Sequence, residues 1–249
     1  MQRKVPPGSR VVTHVHWILV ACALVGCGKR ARAPEGPAFA LPETVSTELG
    51  PMNTEEQYLP GVVDCEMAHY TAAPAALDAQ AIAARTYLAR YLYEHGAQAS
   101  IAIGPRFQCW RDPVHERSRE AARRTRGVLL RHHGELITAN YAAGASGLDD
   151  ACAPPGPDSF GYPGGSWEVV RRAWVVKSER QAGPAWTEIF VTRNGGKRGA
   201  AVTPSWLGPQ RPENRGALGQ HAAICLAERH GLGRDAVLRH FYGDDVRVE

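Results

Sequence analysis

Between Ala75 and His95 the apolar residues keep helical spacing over about six turns. Leu77, Ala81, Ala84, Leu88 and Leu92 recur at three- and four-residue steps, which makes one buried stripe along a long helix. Gly96 follows where a C-terminal cap belongs. Other elements have to be packed onto that stripe.

Upstream, Thr54-Glu55-Glu56-Gln57 has the capping-box pattern, with Thr as N-cap and Gln at N3. A short helix is expected there, and Pro60-Gly61 should end or bend it. Val62 to Met67 is a compact apolar stretch interrupted by Asp64 and Glu66. Downstream, a strand is expected over Phe107 to Trp110 and a charged surface helix over Val114 to Arg126. Val128–Arg131 and Glu135–Tyr141 flank His133-Gly134, which signals a hairpin. Residues 143–165 are rich in Gly, Pro, Ser and Asp and read as a long irregular loop. Strands are expected over Val169–Lys177 and Trp186–Thr192, a turn over Asn194–Lys197, and helices over Asn214–His230 and Arg234–Phe241. No internal repeat occurs. The class is α+β, a single domain with a long Ala-rich helix, antiparallel strands and C-terminal helices.

The N-terminus reads as a targeting segment. Residues 1–10 are polar and basic, and residues 15–26 form an apolar core too short to span a bilayer, which takes about 20 residues. Leu24-Val25-Gly26-Cys27 is similar to a bacterial lipobox, with Cys27 as the lipidated residue and the domain held in water by acyl chains. The expected organisation is a lipoprotein signal over 1–27, a flexible tether over 28–52 and one domain over 53–249. The protein is expected to be exported and membrane-anchored, facing the periplasm. The outer membrane is expected if the host is Gram-negative, since Gly28 and no acid follows Cys27.

In 249 residues, 44% are hydrophobic and 22% charged, which excludes a wholly disordered, collagen-like or polytopic membrane chain. The net charge is +4, and Arg3, Lys4 and Arg10 account for most of it. A nucleic-acid partner is not expected, because no dense basic stripe is present.

Export bears on the cysteines. Cys65, Cys109, Cys152 and Cys225 remain after the signal, and in an oxidising compartment they suggest two disulfides with three possible connectivities. No CxxC pair occurs. No cofactor is expected, and zinc is the alternative, held for example by Cys109, His115 and Cys152 gathered in space.

Tyr58-Leu59-Pro60-Gly61-Val62-Val63-Asp64-Cys65-Glu66-Met67, followed by Ala76-Leu77-Asp78-Ala79-Gln80-Ala81-Ile82-Ala83-Ala84-Arg85-Thr86-Tyr87, resembles the paired motifs YLxGVVxxEM and ALKAQAVAARTY. These belong to the stage II sporulation protein D (SpoIID) family. Phe107-Gln108-Cys109-Trp110, Thr125-Arg126-Gly127-Val128-Leu129, Gly134 through Tyr141 and Ala145-Ser146-Gly147 resemble its later segments.

The resemblance implies a peptidoglycan lytic transglycosylase, which cuts between N-acetylmuramic acid and N-acetylglucosamine and leaves a 1,6-anhydro ring. It implies Glu66 as the catalytic acid. Arg85, Gln108, Tyr141, Ser146 and Gln220 are carried over as substrate-binding candidates, Arg85 with a structural role as its alternative. It also implies a cleft pinned by Cys65–Cys225 and a polar loop pinned by Cys109–Cys152. Two positions depart from the family pattern: Asn214 stands for its His and Gly219 for its Ser. They favour a second reading, a peptidoglycan-binding module or an enhancer of a cell-wall amidase. The expected partners are therefore glycan strands, the membrane through the acyl chains, and cell-wall amidases.

Overall fold

The computed structural model describes residues 39–69, 71–104, 107–142, 194–202, 204–205 and 211–249. The fold is α+β. Its centre is a helix over Pro74–His95 (here α2), capped by Gly96 at φ 97° with its N–H on Leu92 O. The expected single stripe understates its burial. Ala76 to Leu92 is buried on nearly every side, polar residues included. Alanine explains this, because its small side chain lets neighbours approach the helix axis from several directions. Each fully buried leucine on it stabilises the fold by roughly 1.5–3 kcal/mol.

Ahead of it, Leu59–Val63 (α1) lies between two wide helical turns, Thr54–Tyr58 and Asp64–Ala68. The N-cap is Asn53, not Thr54. The Asn53 side chain accepts from the backbone N–H groups of Glu55 and Glu56, and Gln57 Oε1 accepts from Asn53 N–H. Thr54 instead donates its hydroxyl to Pro42 O. Pro60 neither ends nor breaks the helical run. It stands in the first turn of α1, where its missing N–H forfeits no ladder bond. Gly61 is required by packing, since a Cβ there would lie on the Trp110 indole.

The tether expected over 28–52 yields to structure within its range. Strands Thr44–Thr47 (β1) and Gly50–Asn53 (β2) form a hairpin, and Val45 and Met52 are buried in the same apolar cluster as Leu88 and Leu92 of α2. Alternation of buried and exposed residues along β1 gives the physical reason. The charged helix is α3, Glu116–Arg124. The hairpin forms as β3 (Leu130–His132) and β4 (Glu135–Leu136), with His133 and Gly134 both at positive φ as a two-residue turn demands.

Three sequence expectations differ here. Gln108 makes only an isolated bridge with Ile103 instead of a strand, because the backbone bonds here are local, with Gly104 N–H on Gln108 O and Phe107 N–H on Gly104 O. The strand expected to Tyr141 breaks after Leu136, and Asn140–Ala142 (β5) resumes as a separate strand. The helix expected from Asn214 starts at Gln220. Ala217–Gly219 (β6) first pairs in parallel with β5, so those backbone groups bond across strands instead. Helices Gln220–His230 (α4) and Arg234–Tyr242 (α5) follow, and Arg247–Val248 (β7) closes the three-stranded sheet beside β3. The turn at Asn194–Lys197 is present. The expected strands over 169–177 and 186–192 and the loop over 143–165 lie outside the described residues.

Candidate active site

Glu66 lies in the wide turn after α1 and is partly exposed. Its Oε1 accepts from the Cys109 backbone N–H at 2.8 Å, and its Oε2 accepts from Gln220 Nε2 at 3.0 Å. Both donors are neutral. Burial pushes the carboxyl above its ordinary range, and the two hydrogen bonds, which favour the charged form, oppose that rise only in part. β6 delivers Gln220, since the strand ends where α4 begins. Gln220 Nε2 also reaches Gln80 Oε1 at 3.4 Å, while Gln80 Nε2 is buried with no hydrogen-bond partner.

Behind the carboxylate stands a second polar chain. Tyr58 donates its hydroxyl to Gln108 Oε1 at 2.7 Å, and Gln108 Nε2 donates to Tyr141 Oη at 2.7 Å and to Ala84 O at 3.1 Å. Burial, and then the charge of Glu66, push both phenols well above their ordinary range, so both stay neutral. Sequence reasoning gave Tyr58 no role. The available signal was its place at the head of the motif that ends in Glu66.

Arg85 is not beside Glu66. It is fully buried and makes a fork on Glu55, with Nε to Oε1 and Nη2 to Oε2 both at 2.8 Å. Its remaining donors reach Thr125 Oγ1 and Ala122 O. The guanidinium is thus committed to joining the first wide turn, α2 and α3, and it exerts no downward pull on the acid. Gln108 is likewise saturated within the protein. Tyr141 and Gln220 border the acid, and Ser146 lies outside the described residues.

A disulfide joins Cys65 to Cys109, which corrects both expected pairings, Cys65–Cys225 and Cys109–Cys152. The two motif segments that meet at Glu66 are bonded to each other, because Cys65 precedes the acid and Cys109 supplies its donor. Cys225 is disulfide-bonded apart from this pair, and Cys152 lies outside the described residues. Oxidation also removes Cys109 from the zinc grouping with His115 and Cys152. Asn214, at the departing His position, is buried. Its Oδ1 accepts from Asn140 Nδ2 and Ser205 N–H, and its Nδ2 donates to Ser205 O.

A third grouping flanks the site. Asp64 is buried, and its Oδ1 accepts from His115 N–H, Ser118 Oγ and His115 Nδ1 at 2.7, 2.7 and 2.9 Å. Burial alone would raise this carboxyl, but those donors outweigh it and hold Asp64 below the usual range.

The elements holding Tyr58, Glu66, Arg85 and Gln108 run from β1 to β3. Residues 47–132 match the SpoIID family, stage II sporulation protein. That SpoIID segment is about a third of the chain, and it contains the acid, its Cys109 donor and the disulfide. Tyr141 and Gln220 come from beyond the SpoIID segment. No curated protein matches the chain. No helix among the described residues is long and apolar enough to cross a membrane.

Proposed function

We propose that this protein is a lytic transglycosylase of peptidoglycan glycan strands, with Glu66 as general acid and then general base. The observation that carries the reading is the setting of Glu66, a half-buried carboxyl raised by desolvation and held only by neutral donors. A general acid works best with its pKa raised toward the working pH, and burial without a neighbouring cation shifts Glu66 in that direction. Match to a family associated with the cell wall supports the substrate class.

The chemistry requires one carboxyl group where glycoside hydrolysis ordinarily uses two. Glu66 gives its proton to the glycosidic oxygen as the bond from the muramic C1 breaks. The muramic C6 hydroxyl then attacks C1, and the Glu66 carboxylate takes the hydroxyl proton. The 1,6-anhydro ring closes and the acid is regenerated, with no water consumed. In this reading Gln220 orients the carboxylate. Gln108 holds Tyr141 at the site, and Tyr141 and Ser146 meet sugar hydroxyls. Arg85 serves the fold. Lipidated Cys27 would tether the domain at a membrane beside the wall.

Mass spectrometry of purified peptidoglycan after incubation with the protein tests this, using whole sacculi and glycan freed of stem peptides. Products ending in 1,6-anhydro-muramic acid are expected, and Glu66→Gln should release at least about 100-fold less of them. Reducing ends would replace the reading with a hydrolase. Binding to sacculi without any product would replace it with the binding module or amidase enhancer. The commitment of Asn214 to Asn140 and Ser205 supports that second reading, since Asn214 stands where the family pattern has His.

A further inference from the structure

Asp64, His69 and His115 bring one ligand atom each to within 4.8 Å of one another. The transglycosylase reading uses none of the three. Asp64 comes from the start of the wide turn Asp64–Ala68, His69 from the residue that caps it, and His115 from the N-cap of α3. Asp64 has a fully buried side chain, yet its Oδ2 accepts no hydrogen bond. A buried carboxylate oxygen left in that state is costly unless a cation faces it. The group that does so is Arg111, whose Nη1 lies 3.7 Å from Asp64 Oδ2 and against both ring nitrogens of His69. The Arg111 side chain is 40% exposed, so water can receive it if another cation takes its place.

We infer that Asp64, His69 and His115 form a Zn2+ site, with Asp64 Oδ2 and one nitrogen from each imidazole as ligands. Two imidazoles and one carboxylate suit zinc, whereas magnesium and calcium favour all-oxygen sets. Bonds of about 2.1 Å place tetrahedral ligands about 3.4 Å apart, so the present spread has to contract. The contraction requires the exposed His69 ring to move and Arg111 to leave its ring nitrogens. His115 keeps its backbone N–H on Asp64 Oδ1, which fixes the carboxylate as an outer hydrogen bond commonly does for a metal ligand. The fourth position opens to solvent. A bound ion would tie the Glu66-bearing turn to the loop that enters α3.

The test is calorimetric titration of the untagged, full-length, detergent-solubilised protein with Zn2+ after removal of metals by EDTA. Cobalt absorbance in the visible range reports whether the geometry is tetrahedral. Saturable binding of one equivalent is expected, with His69→Ala and His115→Ala each weakening it by roughly tenfold or more. Arg111→Gln should bind more tightly, because the competing cation is gone. Both histidines are exposed, so their variants should fold, whereas Asp64→Asn disturbs a buried network. Absence of saturable binding, or unchanged affinity in either histidine variant, overturns the site. Since the readout is metal binding, its outcome is independent of whether the protein cleaves glycan.

Discussion

Cys109 donates its backbone N–H to Glu66 Oε1 at 2.8 Å while its side chain is bonded to Cys65, the residue before Glu66. The disulfide therefore ties the residue before the acid to the residue that donates to it, and fixes that donor on Glu66. The bridge spans 44 residues of sequence, which corresponds to about 4 kcal/mol of lost unfolded-state entropy. Cys65→Ser with Cys109→Ser is expected to lose stability of that order in urea unfolding, and to release glycan more slowly. Unchanged stability in this double variant would show that the bridge contributes nothing. The double variant is preferable to a reductant, because Cys225 is also disulfide-bonded.

Glu66→Gln should reduce release of anhydro products by at least about 100-fold while the fold persists. It should also raise Tm at neutral pH. Burial raises the folded pKa of Glu66, so the stability linked to its protonation is complete below the unfolded carboxyl range. It is lost as pH rises through the raised value. Glutamine stays neutral, so the gap in Tm should widen from about pH 4 to pH 7 in EDTA-containing buffer. The amides can accommodate the change. If Gln220 turns its Oε1 toward residue 66, Gln80 Nε2 can turn to the same oxygen and gain the acceptor it lacks. A lower Tm at neutral pH would contradict the account of Glu66 as an acid raised by burial.

How far the sequence revealed this arrangement depended on whether the signal was local. The Leu and Ala spacing and Gly96 located α2, and His133-Gly134 located a turn, because helix periodicity and backbone φ are written in adjacent residues. The start of α4 was misplaced by six residues, since β6 exists only through its pairing with β5 far back in the chain. The Cys65–Cys109 bond is likewise a fact of three-dimensional proximity that spacing left among three connectivities. Glu66 stood out by motif, but its two donors did not. One is a backbone N–H without any side-chain signature, and Gln220 arrives from 154 residues away. Arg85 illustrates the converse, a charged residue whose partner, Glu55, read only as part of a capping box.

The Arg85–Glu55 fork yields a direct test of that last point. Arg85 is fully buried and Glu55 is 18% exposed at its side chain. Removing one member of a buried pair leaves the other uncompensated, at about 3–5 kcal/mol. Arg85→Ala and Glu55→Ala should each destabilise by that order in denaturant unfolding. Arg85→Lys should be only partly tolerated, because an ammonium cannot reproduce the bidentate fork. A stable Arg85→Ala protein that fails to cleave or bind glycan would return Arg85 to a substrate role.

His132 predicts a loss of stability on mild acidification. Burial, then the positive charge of Arg215, then His133 depress its pKa, and Asp245 opposes them. The geometry shows why the neutral ring fits. Arg215 Nη1 faces His132 Nδ1 at 3.3 Å, so that nitrogen must accept, while Nε2 lies 3.1 Å from Asp245 Oδ2 and donates. Protonation would set two donors against each other at Nδ1. The unfolded histidine takes a proton near pH 6.5, so stability is present above that value and is lost as pH falls toward the depressed folded pKa. His221, depressed by burial, acts in the same direction. Tm measured in the Glu66→Gln background, where the opposing titration of the acid is absent, should fall between about pH 7.5 and pH 5.5. His132→Gln should flatten that slope, since its carboxamide can accept from Arg215 and does not titrate. An identical slope in that variant would remove His132 from the account and leave His221 as the source.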